Sequence, residues 1–267
     1  MPETLGIIAG NGVYPRELVQ AARKAGVKKI VAAAFTDETD RSIERLADTV
    51  EWLRVGQLGK LLKFFRENDV SQAIMAGQIA PKNLFDLRPD VKALVVLAKL
   101  KQRNAESIFT AIAGELKKEN VDLLPATTFL DDQLATEGLV AGPKLSRVEE
   151  VDVELGWNVA KEIARLDIGQ TIIVKNGTVL AVEAFEGTND AIKRGGALAR
   201  EGAVMIKVAK PNQDMRFDVP VVGVETIKIA SEAKVRVIAV DAGKTLLLER
   251  DKVVDDAARS KISIFAK

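Results

Sequence analysis

The feature that most restricts the fold is an alternation near the start of the chain. Leu5-Gly6-Ile7-Ile8-Ala9 is a short apolar run that stops at Gly10-Asn11-Gly12. Pro15 then opens a stretch with Leu18, Val19, Ala21 and Ala22 near helical spacing, closed by Gly26. Lys29 to Ala34, Val50 to Leu53 and Gln72 to Ala76 repeat the strand type, with a helical stretch from Gly59 to Glu67 between the last two. Mainly apolar strands alternating with helices argue for an open, mainly parallel sheet covered on both faces. The expected class is therefore α/β, with an N-terminal open, Rossmann-like, mainly parallel sheet.

Asp90 to Leu100 and Ala105 to Glu119 read as two more helices, followed by the apolar Val121 to Leu124. Asp131 to Ser146 carries Gly138, Gly142 and Pro143 without a sustained period, and reads as a connection. The expected organisation is an N-terminal Rossmann-like domain at 1–131, a linker at 132–146 and a C-terminal catalytic domain at 147–267. The second half begins with a helix from about Val148 to Arg165. Asn176-Gly177 then signals a hairpin between Thr171–Lys175 and the return strand to Ala184. A helix from about Asn189 to Glu201, strands at Ala203 to Val208 and Val235 to Val240, and a last strand at Ile262 to Phe265 make this half a mixed α/β domain.

What the chain lacks narrows its chemistry. It has no cysteine and no histidine, so thiolate catalysis, histidine bases and the usual zinc sites are excluded. Carboxylates, lysines, arginines, hydroxyls and backbone amides remain, together with hard cations held by oxygen, which points to Mg²⁺ or Mn²⁺ and to phosphate substrates. A net charge of +1 argues against a nucleic-acid binder. No apolar run reaches the roughly 18 residues of a membrane span. Met1 to Leu5 lacks a basic n-region and reads as the start of a strand.

Three stretches carry candidate chemistry. Gly10-Asn11-Gly12 ends the first strand, where glycine lets backbone amides approach a phosphate; a plain tight β–α turn is the other reading. Gly77-Gln78 ends a later strand and is a candidate for the same crevice. Glu183, Glu186, Gly187, Thr188, Asn189 and Asp190 gather at a strand-to-helix junction, where Thr188 or Asn189 is either a helix cap or a phosphate ligand. The segment from Lys210 to Pro220 holds Lys210, Gln213, Asp214, Arg216 and Asp218 between two prolines. Carboxylates there can hold Mg²⁺ while the cations offset pyrophosphate charge; a solvated loop with an internal Arg–Asp pair is the bland alternative.

Taken in order, these pieces resemble a known family. The series is Gly6 to Gly12 with Pro15, Ala76-Gly77-Gln78 with Phe85, Asp167-Ile168-Gly169-Gln170, Ala181 to Ala184 with Glu186-Gly187-Thr188, Lys207 with Lys210-Pro211, Gln213-Asp214 with Arg216, and Asp218-Val219-Pro220 with Gly223 and Thr226. It resembles the UDP-2,3-diacylglucosamine pyrophosphatases of lipid A synthesis, in the form distinct from the metallophosphoesterase-type enzyme. The resemblance implies two domains with the substrate between them, Mg²⁺ dependence and water attack on a pyrophosphate phosphorus, releasing UMP and 2,3-diacylglucosamine 1-phosphate. It implies that Asp218, the aspartate of an Arg-x-Asp-x-Pro stretch, is tied to catalysis. The expected substrate ligands are Gly10, Asn11, Gly12, Gly77, Gln78, Gln170, Gly187, Thr188, Lys210 and Gln213, and the expected metal ligands are Asp218, Asp214 and Glu183. Family members often place Asp directly after Glu-Gly-Thr; here Asn189 stands there and Asp190 follows.

A lipid-linked UDP-sugar needs apolar surface, for which Phe85, Leu87, Val91, Leu94, Val95 and Leu97 are candidates, core packing being the alternative. Such an enzyme is expected in the cytoplasm, in transient contact with the inner membrane surface and not with nucleic acid, its oligomeric state open. A UDP-sugar-binding transferase and a non-catalytic nucleotide-sensing module are the competing readings.

Overall fold

The structure is a computed structural model that describes residues 2–79, 89–101, 105–211 and 213–267. Its contacts divide the chain into two compact units, residues 1–130 with Asp214–Asp218, and residues 131–213 with 219–267.

The first unit is built on strands β1 (Thr4–Ala9), β2 (Lys29–Phe35), β3 (Thr49–Leu53), β4 (Gln72–Ala76) and β5 (Asp122–Leu123). They form one sheet in the order β3-β2-β1-β4-β5, every pair parallel. The helices are α1 (Tyr14–Lys24), α2 (Leu58–Glu67), α3 (Val91–Ala98) and α4 (Ala105–Lys118). Side chains alternate across a strand, so Ile8, Val31, Ala33, Ala73 and Met75 share one face and pack with Leu61, Phe65, Val96 and Leu116 of the helices. α1 buries Leu18, Val19 and Ala22, spaced one helical turn apart. The strand order reverses direction between β1 and β4, the switch point at which open α/β sheets offer a crevice.

The second unit holds a six-stranded mixed sheet in the order β6-β13-β11-β9-β7-β8. Its strands are β6 (Gly138–Ala141), β7 (Thr171–Lys175), β8 (Thr178–Val182), β9 (Ala203–Lys207), β11 (Val235–Val240) and β13 (Ser263–Ala266); β10 (Val221–Val222) and β12 (Leu246–Leu247) make a separate parallel pair. Ile172, Val174, Val204, Ile206, Val237 and Ala239 face α5 (Arg147–Arg165). The alternate residues Ile173, Met205, Ile238 and Ile264 pack with α6 (Thr188–Ala199), α7 (Val224–Glu232) and α8 (Arg250–Arg259). Asn176 and Gly177 have φ of 49° and 73°, the two positive values that a type I′ hairpin requires. The buried Asp152 of α5 accepts both of their N–H groups, at 2.8 and 2.7 Å.

Two expectations are amended. The stretch 132–146 carries β6, which pairs antiparallel with β13, and so belongs to the second sheet. A four-residue edge strand interrupted by glycines is too short to show a period. Residues 214–218, expected within a domain at 147–267, pack with the first unit instead: Met215 O accepts from Ala126 N at 2.6 Å, and the Phe217 ring lies 5.4 Å from that of Phe109.

Candidate functional site

In the first unit, the loops after β1 and β4 interlock. Gly10 N donates to Ala76 O and Asn11 N donates to Gln78 O, both at 2.8 Å. A Cβ on Gly10 would sit 2.5 Å from Gln78 O, and one on Gly77, whose φ is +91°, would sit 2.4 Å from Asn11 O. Both glycines are required because the two backbones touch. Gly10, Asn11, Gly77 and Gln78 are thus brought together at the switch point, with Gly12 beside them. Asn11 Nδ2 donates to Glu38 Oε2 at 3.0 Å, a partner that sequence reasoning missed.

In the second unit, a polar cluster lies where β9 ends and β7 begins. Lys207 ends β9 and faces Thr171 across the ladder. Its Nζ donates to Thr188 Oγ1 at 3.0 Å, and Thr188 Oγ1 donates to Glu183 Oε1 at 2.8 Å. Gln170 N donates to the other oxygen of Glu183 at 3.3 Å. Lys207 is 6% exposed, Glu183 8% and Thr171 fully buried. Gln170 Oε1 is shielded from solvent and has no hydrogen-bond partner among the described residues. Gly187 leads into α6 here, and the helix takes no side-chain cap. In the sequence, Lys207 stands out only as part of the family pattern. The signal for a role is a lysine closing a wholly apolar strand, since lysine is rarely buried unless paired.

Lys210 follows three residues later. Its Nζ meets Asp167 Oδ1 at 2.5 Å, and its N–H donates to Gln213 Oε1 at 2.7 Å. Asp214 and Arg216 form a forked pair, with Nε to Oδ1 at 2.9 Å and Nη2 to Oδ2 at 2.6 Å. Those hydrogen bonds hold the Asp214 carboxyl below the usual aspartate range and push the Arg216 guanidinium up. Asp218 N donates to Asp214 O at 3.2 Å, so the pair also shapes the turn that presents Asp218.

Two of the expected metal ligands, Asp214 and Glu183, have hydrogen-bond partners within the protein. Arg216 occupies both Asp214 oxygens, and Thr188 and Gln170 N occupy those of Glu183. Among the described residues no three acidic side chains are grouped to hold a metal ion. Phe85 and Leu87 lie outside the described residues. Val91, Leu94 and Val95 are 78%, 52% and 47% exposed on α3, so these three are not core.

Lys207 and Lys210, with the Thr188 hydroxyl at the start of α6, suit an anionic ligand. By fold and polar groups this is an α/β protein of the kind that handles phosphorylated small molecules. Comparison with known proteins makes the class specific: residues 4–133 match the LpxI N-terminal domain and residues 136–265 the LpxI C-terminal domain. The chain belongs to the LpxI family. It is 30% identical over 272 residues to the UDP-2,3-diacylglucosamine pyrophosphatase LpxI of Caulobacter vibrioides, covering 98% of this chain and 95% of that protein. Among solved structures, the biotin carboxylase subunit of pyruvate carboxylase aligns with a TM-score of 0.28 and 14% identity, over 70% of this chain and 39% of that one, too weak a likeness to inform fold or function.

Proposed function

We propose that this protein hydrolyses the pyrophosphate of UDP-2,3-diacylglucosamine to UMP and 2,3-diacylglucosamine 1-phosphate. The observation that carries the reading is the full-length relationship: both family domains match in order, and the Caulobacter vibrioides pyrophosphatase aligns along nearly the whole chain. The polar groups agree with it. Lys207, Thr188 and Lys210 offer positive charge and hydrogen bonds to a diphosphate. Asp218 is the carboxylate assigned to water activation.

Turnover is expected to require Mg²⁺ or Mn²⁺, because diphosphate oxygens are themselves hard ligands and Mg²⁺ commonly binds through one or two carboxylates plus substrate phosphates. No described helix is long and apolar enough to cross a membrane. Contact with the cytoplasmic membrane surface is assigned to α3. Its outward stripe of Val91, Leu94 and Val95 runs toward the exposed Lys99 and Lys101, the pairing of apolar and basic groups that suits an anionic lipid surface.

Purified protein incubated with UDP-2,3-diacylglucosamine tests the reading. UMP release with Mg²⁺ that stops in excess EDTA is the expected result. Tight binding of the substrate without UMP release would favour a nucleotide sensor, and full turnover in EDTA would remove the metal from the proposal.

A further inference from the structure

The turn that delivers Lys210 is gripped by two residues outside the proposed chemistry. Asp241 follows β11 directly and is 7% exposed. Its Oδ2 accepts from Ala209 N at 2.5 Å and from Lys161 Nζ at 2.7 Å, and its Oδ1 accepts from Lys161 Nζ at 3.0 Å. Lys161 Nζ also donates to Ala209 O at 3.1 Å. Both backbone polar groups of the residue before Lys210 are therefore held by one ion pair. Val208 N is fixed to Gln170 O at 3.0 Å on one side, and Lys210 N to Gln213 on the other. The Lys161 ammonium sits 5.3 Å from the Trp157 ring centroid, which fixes its stem along α5.

Stability alone does not call for this arrangement. Buried ion pairs are costly to desolvate, and well-packed apolar residues often serve as well or better. An apolar pair cannot hold an N–H and a C=O of the same residue at once. We infer that Asp241 and Lys161 are positioning residues, which set the direction in which Lys210 meets the substrate's phosphates. The inference rests on the proposed role of Lys210.

The sign of the effect separates positioning from charge. Removing the Asp241 carboxylate leaves the region more positive, which by electrostatics alone would tighten an anion. Loss of positioning loosens it. The experiment is a double-mutant cycle on KM and kcat with UDP-2,3-diacylglucosamine, using Asp241→Asn, Lys210→Met and the double variant, with Lys161→Arg as the conservative control.

Each single variant of Asp241 and Lys210 is expected to raise KM about tenfold, while the double variant rises little beyond Lys210→Met, a non-additivity that a merely structural role would not produce. Lys161→Arg, which keeps the charge but not the shape of the ammonium, should raise KM less than Asp241→Asn does. If Asp241→Asn fails to fold, Lys161→Met takes its place in the cycle, since it leaves the Asp241–Ala209 bond intact. An unchanged or lowered KM for Asp241→Asn, or an undiminished effect in the Lys210→Met background, overturns the inference; so does a Lys210→Met protein with unaltered KM. A wild-type protein that releases no UMP would instead overturn the proposed reaction, and the same cycle read on Kd for the substrate still tests the positioning.

Discussion

At the scale of single residues, the two aspartates of the Asp214–Asp218 segment have different duties. Asp214 is committed to Arg216 through both oxygens and shapes the turn. Asp218 stands at the end of that turn as the proposed catalytic carboxylate. Asp218→Ala is expected to lower kcat by about 10³-fold or more with KM little changed, as for a group that acts in the transition state rather than in binding. Asp214→Asn should lower it by much less. A fully active Asp218→Ala enzyme, measured by UMP release, would place the chemistry elsewhere. Gly10 and Gly77 were legible in the sequence because a glycine at a strand end marks backbone that turns sharply or is closely approached. The partners Glu38, Asp167, Lys161 and Asp241 were not. A charged residue looks the same in sequence whether it faces water or closes a bond to backbone more than thirty positions away.

At the scale of elements, α3 is turned the unusual way round. It buries Ala93 and Val96 and exposes Val91, Leu94 and Val95. Replacing Leu94 and Val95 with Asp should leave the fold nearly as stable, since both are exposed, yet weaken sedimentation with phosphatidylglycerol vesicles by about a hundredfold or more, at roughly 1.5–3 kcal/mol for each apolar side chain withdrawn from lipid. Unchanged sedimentation would show that another surface meets lipid.

The helix is tied to α4 by Glu115, which pairs with Lys118 at 2.6 Å and with Lys92 of α3 at 2.5 Å. Hydrogen bonds from Lys118 and Lys92 hold the Glu115 carboxyl down at about 2. The folded value lies below that of an unfolded glutamate, about 4.3, so the contribution is complete above that value and is lost as pH falls through about 2. The effect is modest because both lysines reach into water. Wild type and Glu115→Gln should differ in unfolding free energy at pH 6 and converge near pH 2, and a constant difference across that range would mean the ion pairs do not stabilise the helix. The periodicity of α3 announced a helix but not its orientation, because a segment apolar but for Lys92 names no preferred face. The Asn176-Gly177 hairpin was legible for the opposite reason: its two positive φ values demand those residue types, whereas its anchor Asp152 left no local mark.

At the scale of the whole molecule, sequence order and packing disagree at one place. The first unit takes in Asp214–Asp218, whose Phe217 ring rests on Phe109 of α4. No local pattern could disclose this, since a short polar segment carries no record of which sheet it will lie beside. Phe217→Ala is expected to cost about 1–2 kcal/mol, less than a fully buried phenylalanine because part of the ring meets solvent. Amide exchange should quicken around Ala126 and α4, far from the substitution in sequence, and quickening confined to the second unit would refute the assignment. The same feature sets an order in time. A ribosome adds roughly 5–20 residues per second, so the segment that completes the first unit leaves the tunnel several seconds after residue 130. Through that interval the nascent chain carries an unfilled place beside Phe109 and an Ala126 amide awaiting its partner, so the carboxylate assigned to catalysis arrives with the last piece of a body begun long before it.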